Sequence, residues 1–223
     1  VLARWAFEHK RRFVYASSAA TYGAGEQGYS DDDRTTLTLR PLNMYGFSKQ
    51  AFDLWLLKNR AHDRCAGLKF FNVFGPNEYH KGDMRSMVHK GYGQIKRDGR
   101  IALFRSHRPD FVDGEQKRDF IYVRDAVAAI YHCLINADVN GIFNVGSGKA
   151  SSWNELALAL FDAMGIAPRI EYIDMPQALR GKYQYFTEAK MNKLRKAGFD
   201  AKPTALIEAV TDYVHILKGD GYL

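Results

Sequence analysis

Short apolar runs with strand composition alternate along this chain with longer segments of helical periodicity. The strand candidates are residues 12–16, 66–71, 101–104, 118–123, 141–145 and 170–173. Helices are predicted over residues 43–59, 84–98, from the end of the fourth strand to about 136, and over 188–197 and 206–217. Ser152 and Glu155 form a capping box that begins a further helix, Thr187 is expected to cap the helix over 188–197, and residues 72–82 read as a loop. This alternation predicts an α/β layered fold with a mostly parallel sheet.

The size and composition of the chain fit one or two ordinary globular domains. With 223 residues, of which 46% are hydrophobic, the chain can bury a substantial core. No apolar run approaches the ~20 residues of a membrane span, so no membrane partner is predicted. Cys65 and Cys133 are too few for a disulfide scaffold and show no metal-ligand spacing. We therefore interpret them as core thiols of a protein in the reducing cytoplasm.

The net charge of +7 raises the question of nucleic-acid binding. Basic residues cluster at 10–12, 96–100 and 105–108, but no nucleic-acid-binding motif and no basic tail accompany them. Solvated faces and a pocket for a small molecule with a diphosphate explain the charge better, and no nucleic-acid partner is predicted. Neither His80 nor His107 has a partner at metal-ligand spacing, so no metal site is predicted either.

Tyr45 and Lys49 are the most informative pair of polar residues in the chain. They are four residues apart on a predicted helix and so share one face of it. A tyrosine with a pKa near ~10 is a poor base at neutral pH, and a nearby cation favours its phenolate form. Ser17 and Ser18 follow the first predicted strand, at the edge where open α/β sheets bind ligands. The set is suited to taking a proton from an alcohol while a hydride leaves the same carbon.

Five short runs of sequence, which follow one another along nearly the whole chain and include the residues just named, resemble a known family. They are residues 15–23, 45–49, 70–76, 118–125 and 143–148. They are similar to the extended short-chain dehydrogenase/reductases that modify nucleotide sugars. The resemblance implies the C-terminal part of a Rossmann-type doubly wound parallel sheet plus a smaller α/β substrate domain. Residues 1–74 would be the remnant of the Rossmann domain that binds NADP, and 75–223 mainly the substrate domain, with about 118–145 and 187–200 returning to the Rossmann domain.

Two runs, residues 78–84 and 180–187, resemble the branch of this family that epimerises C6 of an ADP-linked heptose. That reaction interconverts the D-glycero and L-glycero forms for the lipopolysaccharide inner core. Dehydratases of the family usually have an Asp-Glu pair after the serine strand. This chain has Ala19 to Tyr22 there, which argues against a dehydratase.

The resemblance also implies roles for particular residues. Ser18 would orient the substrate hydroxyl, Tyr45 would be one acid/base, and Lys49 would hold the nicotinamide ribose and tune Tyr45. Lys81 would face the cofactor and act as a second acid/base, and Val73 would contact the cofactor through its backbone. The implied substrate contacts are Asn72, Asp83, Lys90, Phe104, Arg105, Ser106, His107, Arg118 and Tyr183. Arg118 is suited to the diphosphate because its planar guanidinium bonds phosphate oxygens in pairs.

The glycine fingerprint of a Rossmann domain is not found near the start of this sequence. Residues 23–28 match the letters Gly-x-Gly-x-x-Gly, but they follow the serine strand and are interpreted as a polar loop. The family would have the true fingerprint on upstream strands. The chain therefore resembles the C-terminal part of such an enzyme, and we expect this piece alone to be inactive.

The function predicted from the sequence is thus an isomerase that epimerises C6 of ADP-heptose by transient oxidation. NADP is the expected cofactor, with NAD as the other possibility, and the family resemblance implies a homo-oligomer. Two alternatives stay open: another nucleotide-sugar epimerase or reductase of the same superfamily, and a non-catalytic sugar-nucleotide-binding remnant.

Overall fold

The computed structural model describes residues 1–181 and 183–219. Its strands are β1 (Val14–Ser18), β2 (Ala66–Phe70), β3 (Asn72–Phe74), β4 (Ile101–Phe104), β5 (Lys117–Tyr122), β6 (Gly141–Val145), β7 (Ala150–Ser152) and β8 (Ile170–Ile173). Its α-helices are α1 (Leu2–Glu8), α2 (Asp33–Thr38), α3 (Met44–Lys58), α4 (Met87–Asp98), α5 (Val123–Ile135), α6 (Trp153–Met164), α7 (Gln177–Arg180), α8 (Asn192–Lys196) and α9 (Leu206–Lys218). Short 3₁₀ helices cover Ala19–Tyr22, His62–Arg64 and Tyr79–Met84. The α/β layered fold is confirmed.

The strands form small sheets that are mostly parallel. One sheet has the order β1-β2-β6, and a second has the order β3-β5-β7 with β7 antiparallel. β4 and β8 form a separate parallel pair. In the first sheet the register places Ser18 opposite Phe70, and Asn72 begins β3 two residues further on. The carboxyl ends of β1 and β2 therefore bring Ser18 and Asn72 to the same edge of the molecule.

β5 connects the two main hydrophobic cores. Phe120 and Tyr122 are buried in a core that α4, α6 and α9 build with β4. Ile121, between them, is buried in the other core, which contains β2, β6 and the inner face of α5. Successive side chains of a strand point to opposite faces, so one strand can serve both cores. Arg118 lies on this same strand, on the face that Phe120 and Tyr122 share, and packs against Trp153 beside the first core.

The first strand is shifted from the predicted 12–16 to Val14–Ser18, so both serines belong to it. Two further predicted elements differ from the structure. The loop predicted over 72–82 contains β3 and a 3₁₀ helix, because Asn72 to Phe74 pair with distant β5. The helix predicted over 188–197 is shortened to Asn192–Lys196. Thr187 does not cap it, since its hydroxyl accepts the Asp119 N–H at 3.2 Å. The Glu188 carboxylate accepts the Ala150 N–H at 3.0 Å, so both residues are tied to strands and the chain there stays extended.

Several local predictions are confirmed. Ser152 and Glu155 form the expected capping box at α6. Cys65 and Cys133 are buried free thiols. The glycines of residues 23–28 adopt positive φ angles in a loop, and the next helix begins only at Asp33.

Within residues 1–181 and 183–219, no helix combines the length and the apolar character needed to cross a membrane.

Candidate active site

Ser18 ends β1 and caps the 3₁₀ helix that follows it. Its Oγ accepts the Ala20 N–H at 3.1 Å, and its carbonyl accepts the Thr21 hydroxyl at 2.8 Å. A serine hydroxyl has one hydrogen to donate in addition to its lone pairs. Among the described residues no acceptor takes that hydrogen, so Ser18 can donate it to a ligand.

Tyr45 and Lys49 lie in the first turns of α3, whose start is fixed by Asn43. The Asn43 side chain accepts the Gly46 N–H at 2.8 Å, as an N-cap does. Tyr45 is 58% exposed, and the Lys49 Nζ lies 5.7 Å from the centre of its ring. Lys49 also donates to the Ala16 carbonyl at 3.0 Å, which ties α3 to β1. The predicted pair is therefore assembled on one exposed helix face beside the serine strand.

Gly46 allows α3 to come this close to the Ser18 turn. A Cβ at this position would lie 2.6 Å from the Ala20 carbonyl oxygen and 3.0 Å from Pro41 Cβ. Ala20 is the residue whose N–H binds Ser18 Oγ. The first turn of α3 and the serine turn are therefore in direct backbone contact, and Tyr45 is adjacent to that contact.

A nicotinamide cofactor needs hydrogen-bond donors for its ribose hydroxyls, and Lys49 has donors to spare. An ammonium group has three N–H donors, and Lys49 uses one on Ala16 in the described part of the chain. The exposed Tyr45 phenol is one helical turn away. The chemistry of these donors fits a ribose at the carboxyl edge of β1.

A buried ion pair beneath this site was missed by the sequence prediction. Lys69 of β2 and Asp53 of α3 are both fully buried, with Nζ and Oδ2 2.6 Å apart. Burial lowers the pKa of the Lys69 ammonium, and the Asp53 carboxylate opposes that shift. The available signal was the placement of a lysine inside an otherwise apolar buried strand, where charges occur only when paired.

Two adjoining cavities lie between β3, α4 and α6. Asn72, Val73, Lys81 and Lys90 line the first, which has a volume of about 320 Å³. The second, of about 300 Å³, is lined by Phe104 and Tyr183. Met87, Lys90 and Trp153 belong to the walls of both. Six residues predicted separately from the sequence are thus collected along one continuous groove, and Trp153 is an addition that the sequence prediction did not include.

Arg118 is a buried cation enclosed by aromatic rings. Its side chain lies with the guanidinium carbon 4.9 Å from the centre of the Tyr183 ring and 5.9 Å from that of Trp153. It donates to the Lys117 carbonyl at 3.0 Å, and no carboxylate pairs with it in the described part of the chain. Burial lowers its pKa, as expected for a cation without a counter-charge. A guanidinium held in this way is suited to bind an anion such as a diphosphate.

Tyr183 is held by the same cluster. Burial raises the pKa of its phenol, while the Arg118 charge opposes that rise. Its neighbour Lys182, part of the run that resembles the heptose branch, lies outside the described residues. Tyr183 therefore lines the groove together with Trp153, while Arg118 packs against both rings without lining either cavity.

Five of the predicted substrate contacts, Arg118 among them, do not line these two cavities. Arg105 is exposed, the Ser106 hydroxyl donates to the Arg108 carbonyl at 2.9 Å, and His107 Nε2 faces the Met175 N–H at 3.4 Å. Asp83 lines a third, open cavity of about 720 Å³, which shares Lys90 with the other two. Their contact with a substrate stays a prediction.

Comparison with known proteins agrees with the fold and defines the family. The model of the NAD dependent epimerase/dehydratase family matches residues 1–146. The chain belongs to this family, whose cofactors are nicotinamide dinucleotides. An ADP-L-glycero-D-manno-heptose-6-epimerase of Nitratidesulfovibrio vulgaris (strain DP4) is 58% identical, over 100% of this chain and 70% of that protein. The protein of the same name from Fusobacterium nucleatum is 47% identical over 98% of this chain and 70% of its own length.

Solved structures give the same assignment at the level of the fold. The crystal structure of Helicobacter pylori ADP-L-glycero-D-manno-heptose-6-epimerase matches with a TM-score of 0.81 and 27% identity, over 98% of this chain and 63% of that one. Thermus thermophilus UDP-glucose 4-epimerase in complex with NAD matches with a TM-score of 0.77 and 22% identity, over 98% and 68%. The chain thus spans between 63% and 70% of the length of these relatives.

Proposed function

We propose that this chain is the acid/base and substrate-binding part of an epimerase that acts on C6 of ADP-glycero-manno-heptose. The observation that supports it most is the presence of two separate acid/base candidates at one edge of the sheet. Tyr45 precedes Gly46, which contacts the turn that Ser18 caps, and Lys81 lines a cavity together with Asn72. The 58% identity to a protein of that name, over the whole chain, supports the choice of sugar.

The proposed chemistry divides between these two groups. Tyr45 takes the proton from the C6 hydroxyl of one epimer, which Ser18 orients by its free hydroxyl hydrogen. Lys81 exchanges a proton with the same oxygen when the opposite face of C6 is presented. A group on each side removes the need for one base to reach both faces of a planar carbon. A nicotinamide, when bound, supplies hydride acceptance and return at that carbon.

The groove binds the parts of the substrate that are remote from the reacting carbon. Arg118 binds the diphosphate, and Asn72, Phe104 and Tyr183 contact the rest of the nucleotide sugar. Lys49 and the Val73 backbone hold the cofactor. We propose NADP as the preferred cofactor, with NAD as the alternative, and calorimetric titration with each dinucleotide distinguishes them.

The test is epimer interconversion by the longest form of the protein that its gene encodes. We expect NMR to show each C6 epimer of ADP-glycero-manno-heptose converting to the other, with no change in UDP-glucose. Tyr45→Phe and Lys81→Met should each lower turnover by about 10²–10⁴-fold. Turnover of UDP-glucose alone would favour another epimerase of the family. Folded protein that binds the cofactor and the sugar without turnover would favour a binding remnant.

A further inference from the structure

The Asp53–Lys69 ion pair is bonded to residues on either side of Ser18, and neither member of the pair can reach a ligand. Both side chains are completely buried. Asp53 follows Tyr45 and Lys49 at four-residue intervals, so the three residues lie along one stripe of α3. Tyr45 and Lys49 lie at the exposed end of that stripe, and Asp53 lies at its buried end.

Asp53 connects α3 to the serine strand β1 through two hydrogen bonds and to β2 through a third. Its Oδ2 accepts the Ser17 hydroxyl at 2.7 Å and Lys69 Nζ at 2.6 Å. Its Oδ1 accepts the Tyr15 hydroxyl at 2.8 Å. Burial, with Asp53 adding to it, raises the pKa of Tyr15 and keeps this phenol a donor. The carboxylate thus fixes α3 to two positions of β1, the nearer of which is adjacent to Ser18.

Lys69 reaches Ser18 from the other side. Its Nζ donates to Thr21 Oγ1 at 2.8 Å, and the Thr21 hydroxyl donates to the Ser18 carbonyl at 2.8 Å. Thr21 is fully buried and belongs to the 3₁₀ helix that Ser18 caps. One buried ammonium therefore restrains the serine turn and, through Asp53, the helix of Tyr45.

We propose that Asp53 and Lys69 are positioning residues that fix the distance between the Ser18 hydroxyl and the Tyr45 phenol. The proposal rests on the proposed function only in assigning the reaction to those two groups. Catalysis is more sensitive to such a distance than binding is, because a misplacement of about 1 Å can cost about 10²-fold in rate. Arg118 and the groove hold the substrate elsewhere, so its affinity should not depend on the pair.

The decisive variants cut this connection without adding bulk. In the longest encoded form of the protein, Ser17→Ala and Asp53→Asn should each lower kcat by about 10–100-fold. The dissociation constant for the ADP-sugar should stay within about twofold of the wild-type value. In the double variant the losses should not multiply, because both changes break the same link. All rates are measured well below each variant's melting temperature and divided by the folded fraction.

The control is a carboxylate with similar bonds on another helix. Asp125 lies in the first turn of α5 and accepts the Thr204 N–H and hydroxyl, both at 2.9 Å. Asp125→Asn should reduce stability and leave kcat unchanged. Normalised kcat values of wild-type size in folded Ser17→Ala and Asp53→Asn would overturn the proposal, as would losses that multiply. If Asp53→Asn does not fold, Ser17→Ala alone decides.

The outcome for the positioning role is separable from the outcome for the function. Tyr45→Phe serves as the reference. If the wild type epimerises the sugar and Tyr45→Phe does not, while Ser17→Ala and Asp53→Asn keep normal kcat, only the positioning role fails. If the wild type itself does not act on the sugar, the proposed function fails instead.

Discussion

At the scale of single residues, the most telling feature is a buried cation that no carboxylate among the described residues neutralises. Arg118 is 6% exposed and is covered by the rings of Tyr183 and Trp153. Burying a cation without a counter-charge costs stability in the free protein. A bound diphosphate would remove that cost, so the free energy lost in folding becomes available for binding.

Arg118→Met should therefore separate stability from binding. We expect the free energy of unfolding to stay the same or rise by about 1 kcal/mol or more, because an uncompensated charge is replaced by an apolar chain. ADP-sugar affinity should fall by about 10–100-fold, as for a lost charged hydrogen bond. Urea unfolding and calorimetric titration measure the two effects.

A matched control for Arg118 lies six residues further along the chain. Arg124 is half-exposed and pairs with Asp212 at 3.4 Å. Arg124→Met should change neither quantity appreciably, since exposed ion pairs contribute little. Loss of stability in Arg118→Met with unchanged ADP-sugar affinity would show that the arginine is structural.

Gly46 offers a second residue-scale prediction. Gly46→Ala would place a methyl group 2.6 Å from the Ala20 oxygen, so α3 must move away from the serine turn. We expect a loss of about 1–3 kcal/mol in urea unfolding, as for other overpacked sites.

The control for Gly46 is Gly93 of α4, where an added Cβ meets nothing within 4 Å. Gly93→Ala should be neutral or stabilising by up to about 1 kcal/mol, because alanine favours the helix. Equal effects of the two substitutions would show that the close contact at Gly46 has no energetic importance.

At the scale of elements, local patterns predicted most helices and strands, while contacts distant in sequence decided the exceptions. Asn43, Ser152 and the apolar spacing of α3 and α9 are local signals, and each led to the correct element. β3 and the extended segment around Thr187 were missed because their partners, β5 and Asp119, are distant in sequence. The same limit hid Asp53 and Lys69, which are 16 residues apart and pair only in the fold.

The short helix α2 gives a prediction about pH. Hydrogen bonds from Ser30 and Thr35 lower the pKa of its N-cap Asp32 from 3.8 to about 2. Because the pKa is lowered in the folded state, the cap stabilises the fold above pH 3.8 and loses that effect as the pH falls towards 2. Asp32 is exposed, so we expect Asp32→Ala to cost only about 1 kcal/mol at pH 7.

Urea unfolding at pH 7 and below pH 4, with an NMR titration of the Asp32 carboxyl, checks this prediction. The stability difference between wild type and Asp32→Ala should shrink at the lower pH. A carboxyl that titrates at its ordinary value, or equal stability of the two proteins at pH 7, would contradict the capping role.

At the scale of the whole molecule, the candidate site is built where the two cores meet. β1 and β2 from one core supply Ser18 and the edge that leads to Asn72. α4 and α6 from the other core supply Lys90 and Trp153. The sequence predicted the separate motifs and their family. It could not predict that Asn72, Lys81 and Lys90 share one cavity, because that depends on how α4 packs.

The central claim is that this protein epimerises C6 of an ADP-heptose by removing a hydride from that carbon and returning it to the other face. The most direct test uses the longest encoded form of the protein with its dinucleotide. The substrate is ADP-D-glycero-D-manno-heptose that carries deuterium at C6. We predict that the L-glycero epimer forms with its deuterium retained at C6, as NMR and mass spectrometry would show. Absence of the L-glycero epimer, or an epimer whose C6 hydrogen comes from solvent, would contradict the account.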